Sequence, residues 1–342
     1  MDHAMGTNDS NSLCGIPAGK RAVQVRIPML FIISAYLFAL HDDQPRGQRV
    51  KKRLRTLGLP YILWSGIGIG LTYVLELIPV TREVIADSHV VQIDETRMLI
   101  HDYHWYEALA RWVFHPVSYQ LWFIRVLLIY NLAYPLILKA VLHRIARPIF
   151  FTFVTLMWIG TFGFVFFEGE GLLFFSLGVW IQKTGFSIEQ ANGWTKPVPW
   201  FVAFFALALA KTWLAFHGME MIGGATEIVM TLIHKAMALS GLIGMWFGSD
   251  AVVHWFMRQK WFVWISAFSF VIYAMHAPFV AYFINPGITF FLPLSAARLL
   301  AFIFLPLLII GICVLVGSII RAITPEFYSL LTGGRGFQKS ES

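Results

Sequence analysis

Cysteine is scarce in this chain: Cys14 and Cys313 are the only two in 342 residues, too few for a disulfide framework, a Cys-x-x-Cys redox pair or a thiolate zinc site. Charge is thin as well. Only 13% of residues carry it, about half the share usual in soluble domains, while 58% are hydrophobic and 16% aromatic. A water-soluble domain of this length has too little interior to hide that apolar surface. Intrinsic disorder needs the reverse composition, low hydrophobicity with high net charge. Alternating ten-residue patterns are missing, which argues against a transmembrane barrel. The net charge of +7 does not imply a nucleic-acid partner, because in a membrane chain excess Lys and Arg set topology.

Long apolar runs are what the chain has in quantity. Crossing about 30 Å of hydrocarbon takes roughly 20 apolar residues, and nine such stretches lie near 25–41, 56–79, 117–142, 148–167, 171–182, 197–216, 228–248, 262–284 and 294–319. In lipid each must satisfy its own backbone hydrogen bonds, so each is expected to be helical. The sequence therefore predicts an all-α, polytopic transmembrane bundle of about nine spans over 25–320. A polar N-terminal tail, 1–24, precedes it and a tail, 321–342, follows. Sorting Lys and Arg by side places about 16 on one face and about 7 on the other, which puts the C-terminus in the cytoplasm and the N-terminus outside.

The longest external loop, about 80–116, holds His89, His101, His104 and His115. HDYH at 101–104 spaces two histidines as a metal pair on a helix would, but two ligands alone do not make a site, and a solvated loop capping the bundle is the simpler expectation. No metal is predicted. Gly66/Gly70 and Gly244/Gly248 are GxxxG pairs suited to close helix contact.

Ionisable groups inside lipid cost about 3 kcal/mol or more, so those present tend to face a cavity. They are Arg125, Lys211, Lys235 beside His234, and His276, all roughly 8–13 Å below the outer surface by helical rise, with Ser34 at similar depth. One shared polar cavity is expected. The densest cationic run, RGQRVKKRLRTLGLPY, leads into the second span with Pro60 in its first turn. It anchors topology, and cations at a bundle mouth also grip phosphates, as those of a nucleotide-bearing donor such as coenzyme A.

The segments RIPMLFIISAYLF (26–38) and KKRLRTLGLPYILWS (51–65) resemble the type 3 membrane acyltransferases. QLWFIRVLLIYNLAYPLI (120–137), SAFSFVIYAMHAPF (266–279) and LTGGR (331–335) are similar to further segments of that family, in its order. The resemblance implies an integral O-acyltransferase of the inner or plasma membrane, taking an acyl group, commonly acetyl, from cytoplasmic acyl-CoA to a hydroxyl of a surface glycan or lipid-linked sugar. Acyl-CoA is then a donor substrate, with no permanent cofactor. Lys52, Arg53 and Arg55 are expected to hold the donor, and Trp122 and His276 to line the transfer cavity with Ser34 and Lys235.

A sugar hydroxyl needs a general base, most often histidine. His3, His276 and an external-loop histidine all remain open for that role. Arg125, by its depth, is the expected oxyanion stabiliser. The family normally begins with one more span, ending in its catalytic histidine; this chain begins where that span would finish, with His3 at a compatible distance and Ala35 in place of the family's glycine. The alternatives are a transporter or flippase for an anionic or glycan substrate, since buried cations also line anion pathways, or a truncated inactive relative.

Overall fold

The computed structural model describes residues 26–186, 188, 191, 193–291 and 297–335; His3 and the rest of the N-terminal tail lie outside them. The chain is all-α, with no strand among the described residues beyond two isolated bridges. It divides into two units. One is built on Gln190–Gly248, with the described residues before Leu30 grouped to it; the other holds Leu30–Glu189 and Ser249–Ser342.

The larger unit opens within α1 (Arg26–Ala39), from Leu30 on, and continues with α2 (Arg46–Arg53) and α3 (Leu59–Leu75). A π-helical turn, Leu54–Gly58, joins α2 to α3, so the basic run and the second apolar stretch form one helix over Arg46–Leu75. Proline explains the widened turn. Pro60 has no N–H for the Thr56 carbonyl and its ring crowds that oxygen, and an i→i+5 turn relieves both. The expected helix start at Pro60 is therefore a register change inside a longer helix.

The loop expected to be merely solvated is folded. It contains α4 (Pro79–Ser88), which ends at His89 in a left-handed conformation, and α5 (Trp105–Val113). Ile85, Val91, Leu99, Ile100 and Val117 form a core there with Tyr282. The α5 helix packs along α3, where the Tyr61 hydroxyl donates to the Val113 carbonyl at 2.7 Å and Ser65 to that of Trp112 at 2.5 Å.

Next come α6 (Trp122–Leu142), α7 (Ala146–Ile159) and α8 (Gly169–Thr184). Pro135 bends α6 by 65° between its two halves. Ala35 is fully buried where α1 meets α8: a Cβ on Gly178 would lie 2.9 Å from the Ala35 methyl, so the glycine on α8 makes the close approach possible.

The smaller unit is a hairpin of α9 (Pro197–Ile222) and α10 (Thr226–Gly248). Gly244 and Gly248 face Phe201 of α9, as their spacing predicts, whereas of the other pair only Gly66 has a close neighbour, the Trp112 indole of α5.

After the hairpin the larger unit resumes with α11 (Asp250–Met257), α12 (Lys260–Ser266), α13 (Ser269–Phe291), α14 (Ala297–Ile323) and α15 (Pro325–Thr332). All nine apolar stretches contain helix. Among the described residues four helices are long and apolar enough to cross a membrane, or up to six counting the bent pairs of α6 and α13; α1, α7 and α8 are shorter. The nine stretches thus differ in helix length, because Pro and Gly ends shorten some helices and bends divide others. The long apolar helices make this a membrane protein.

Candidate functional site

The start of α6 gathers most of the predicted site residues of the larger unit. Gln120, in the turn before α6, donates from its amide to the Tyr273 and Ala274 carbonyls at 2.9 Å each, and the Tyr273 hydroxyl donates back to the Gln120 carbonyl. This clasp ties the opening of α6 to the turn of α13 that precedes His276. His276 is half-buried, and its Nδ1–H donates to the Ile272 carbonyl at 2.8 Å, which leaves Nε2 of the neutral ring as the proton acceptor.

Trp122 and Arg125 stand on the first turn of α6. Phe31 of α1 is fully buried and packs near both Trp122 (6.4 Å between rings) and Phe123 (4.7 Å). Half-buried Ser34 follows on α1, three residues on, one helical turn away. The Arg125 guanidinium reaches the Tyr61 hydroxyl, while its Nε is buried with no hydrogen-bond partner. An arginine placed so, at the positive end of a helix, suits developing negative charge.

Two residues joined to this group were missed as site residues in the sequence. Tyr61 stood beside Pro60 as part of a family-like PY. His115 stood among four loop histidines, and nothing in its spacing distinguished it. Folding brings His115 within electrostatic reach of Arg125 and Arg111; burial, and then these two cations, push its imidazole below the usual histidine value.

The basic turn is only partly turned inward. Lys52 and Arg55 are exposed. The Arg53 guanidinium lies over the buried Phe38 ring, 4.8 Å from its centre, and Arg49 sits near Phe38 at 5.5 Å and Tyr134 at 5.4 Å. Arg335 of the C-terminal turn faces Phe270 at 4.8 Å. Neither Arg49 nor Arg335 stood out in the sequence.

The remaining predicted groups have partners of their own. Lys211, His234 and Lys235 belong to the smaller unit, where the Lys211 amine lies 3.2 Å from the His234 imidazole and Lys235 is buried. The HDYH histidines diverge: the His101 Nδ1–H donates to the buried Glu76 carboxylate at 2.6 Å, and His104 stacks on Tyr106. Among the described residues no three His, Cys, Asp or Glu side chains converge as metal ligands.

A family model described as an acyltransferase domain matches residues 5–318. The chain is similar to the succinoglycan biosynthesis protein ExoH of Rhizobium meliloti (strain 1021), with 23% identity over 323 residues, covering 93% of this chain and 81% of that protein. No solved structure matches.

Proposed function

From the premise that this chain belongs to the acyltransferase-domain family, we propose that it is an integral O-acyltransferase of the inner or plasma membrane with a cytoplasmic C-terminus. It moves an acyl group, acetyl in the simplest case, from cytoplasmic acyl-CoA to a hydroxyl of a surface glycan or lipid-linked sugar. The similar ExoH carries succinoglycan biosynthesis in its name, which supports a glycan acceptor.

The clasp that sets His276 beside the start of α6 carries the proposal. His276 Nε2 takes the proton of the sugar hydroxyl as its oxygen attacks the thioester carbon. Arg125, buffered by Tyr61, stabilises the oxyanion of the tetrahedral intermediate. Collapse breaks the C–S bond and leaves the new C–O ester; the proton passes from the imidazolium to the departing thiolate. Trp122 and Ser34 shape the space for the acyl group. Lys52, Arg53 and Arg55 hold the donor phosphates as charge-assisted partners.

The test is acyl labelling of a glycan acceptor in membranes carrying the full chain. His276→Ala is expected to lower transfer about 100-fold or more, and Arg53→Ala to raise the donor KM, with insertion unchanged. Parent-level labelling by both variants would refute these roles.

A further inference from the structure

The C-terminal turn is built against the π-turn of α2–α3. α15 ends in Gly333 and Gly334, both in the left-handed region, with φ of 62° and 81°. A Cβ on Gly333 would lie 2.5 Å from the Thr56 carbonyl oxygen, the oxygen that Pro60 deprives of its ordinary helical donor. Glycine is thus what lets the turn seat there. Two hydrogen bonds hold α15 in place: the Trp64 indole N–H donates to the Leu331 carbonyl at 2.9 Å, and the Tyr328 hydroxyl to that of Ala267 at 3.3 Å. The position of Arg335, next after the glycines, follows from the fold.

Seated there, Arg335 comes close enough to Arg53 for the two guanidiniums to repel. Arg49, one turn back along α2, belongs to the same group: both arginines pack on Phe38. No carboxylate pairs with Arg49, Arg53 or Arg335 in any ion pair among the described residues. Asp42 is the acidic group near Arg49, and it is engaged by Lys183 at 2.6 Å and the Tyr134 hydroxyl at 2.8 Å. Arg49 Nε and Nη1 are buried and have no hydrogen-bond partner. A small recess, with room for little more than a water molecule, is lined by Arg46, Arg49, Asn131 and Tyr134 beside them, and Asn131 Oδ1 also lacks a partner.

Aromatic faces fix the planes of guanidiniums without cancelling their charge, and leave their N–H groups to bond in the guanidinium plane. Three such forks, none of them in an ion pair with a carboxylate among the described residues, match a ligand with more than one phosphate. We infer that Arg335, on the C-terminal Gly-Gly turn, closes with Arg49 and Arg53 a three-guanidinium cradle for phosphates, so that the far end of the chain completes a binding site begun on α2. If the acyltransferase reading holds, on which this identification rests, the phosphates are those of the acyl-CoA donor. A lipid headgroup is the other source of the same chemistry.

The purified full chain in uncharged detergent is titrated calorimetrically with adenosine 3′,5′-bisphosphate and with pyrophosphate. Arg335→Gln and Arg49→Gln are each expected to weaken binding about tenfold, as loss of one charge-assisted fork does. Arg335→Lys recovers part of the loss, since lysine restores charge without the fork. Arg258→Gln, at an exposed position between α11 and α12, leaves binding unchanged. Should Arg335→Gln bind both probes as tightly as the parent, the cradle is wrong.

A second arm uses vesicles of phosphatidylglycerol against phosphatidylcholine. If Arg335→Gln weakens binding to the anionic vesicles alone, the cradle stands as a headgroup site and the donor assignment falls. Transfer assays separate this inference from the enzyme reading. An unchanged donor KM in an active Arg335→Gln protein sinks the donor cradle and spares the enzyme. Absence of transfer from any donor, with bisphosphate binding still dependent on Arg335, does the opposite.

Discussion

At the C-terminal end of α3 two of the described cationic or imidazole groups, Arg97 and His101, are answered by carboxylates close by. Arg97 is gripped by Asp94 and Glu107, and Glu76, only 3% exposed, accepts the N–H groups of Ile100 (2.9 Å) and His101 (3.1 Å) together with the His101 ring. At the N-terminal end of the same helix, Arg49, Arg53 and Arg335 face aromatic rings, Arg335 lies near Arg53, and none of the three is in an ion pair with a carboxylate among the described residues. The difference separates charges that build the fold from charges held ready for something else. Internally satisfied groups rigidify a segment. Groups ordered without a counter-charge keep their capacity for a ligand.

The largest effect is expected at the satisfied end. Glu76→Ala strips two buried backbone donors and an imidazole of their acceptor, and should cost about 3 kcal/mol. Thermal unfolding in detergent measures it; Glu76→Gln, which keeps an acceptor oxygen, should cost less. Equal losses would mean that the charge and not the hydrogen bonds holds the loop. Next is Gly333→Ala at the unsatisfied end, which puts a methyl group into the Thr56 carbonyl at a left-handed φ and should cost about 1–2 kcal/mol. Its signature is faster proteolysis after α15 together with weaker bisphosphate binding, and unchanged proteolysis would mean that the turn seats without glycine.

Acid should act on one part before the other. His115 is held below the usual value of 6.5 by burial and by Arg125 and Arg111. The unfolded chain then binds the extra proton first, so its contribution to stability is intact above pH 6.5 and shrinks as pH falls. Although burial pushes Asp42 up, hydrogen bonds from Lys183 and Tyr134 outweigh it and hold the carboxyl below 3.8, so that tie survives until the medium is more acidic still. The melting temperature should therefore begin to drop below pH 6.5, and His115→Gln should flatten that drop. A slope unaffected by the substitution would exclude His115 as its source. The smallest effect is Arg97→Gln: its ion pairs are partly solvent-screened, and only a small drop in melting temperature is expected.

Much of this was legible along the chain. Apolar runs located the nine helical stretches, and glycine spacing marked Gly244 and Gly248 as a close-contact face without naming the partner that Phe201 of α9 supplies. Arg53 and His276 stood out because local segments resembled a known family. Helix lengths were less legible: apolar content does not reveal that Pro60 sits inside a longer helix or that α13 bends by 72°. The expected shared layer of cations rested on counting helical rise from assumed ends, and such a count carries no information about which helices neighbour one another. Lys211 and Lys235 are in the smaller unit, while Arg125 and His276 are in the larger.

Composition and periodicity by themselves determined an all-α membrane protein, because every backbone group in lipid must find its partner within its own helix, a local requirement. Which charges are satisfied was decided only by tertiary structure. The Trp64–Leu331 hydrogen bond joins residues 267 apart, and the seating of Gly333 on Thr56 brings Arg335 to Arg53. Such pairings depend on distances in space, and Coulomb energy follows that separation whatever the order of residues along the chain.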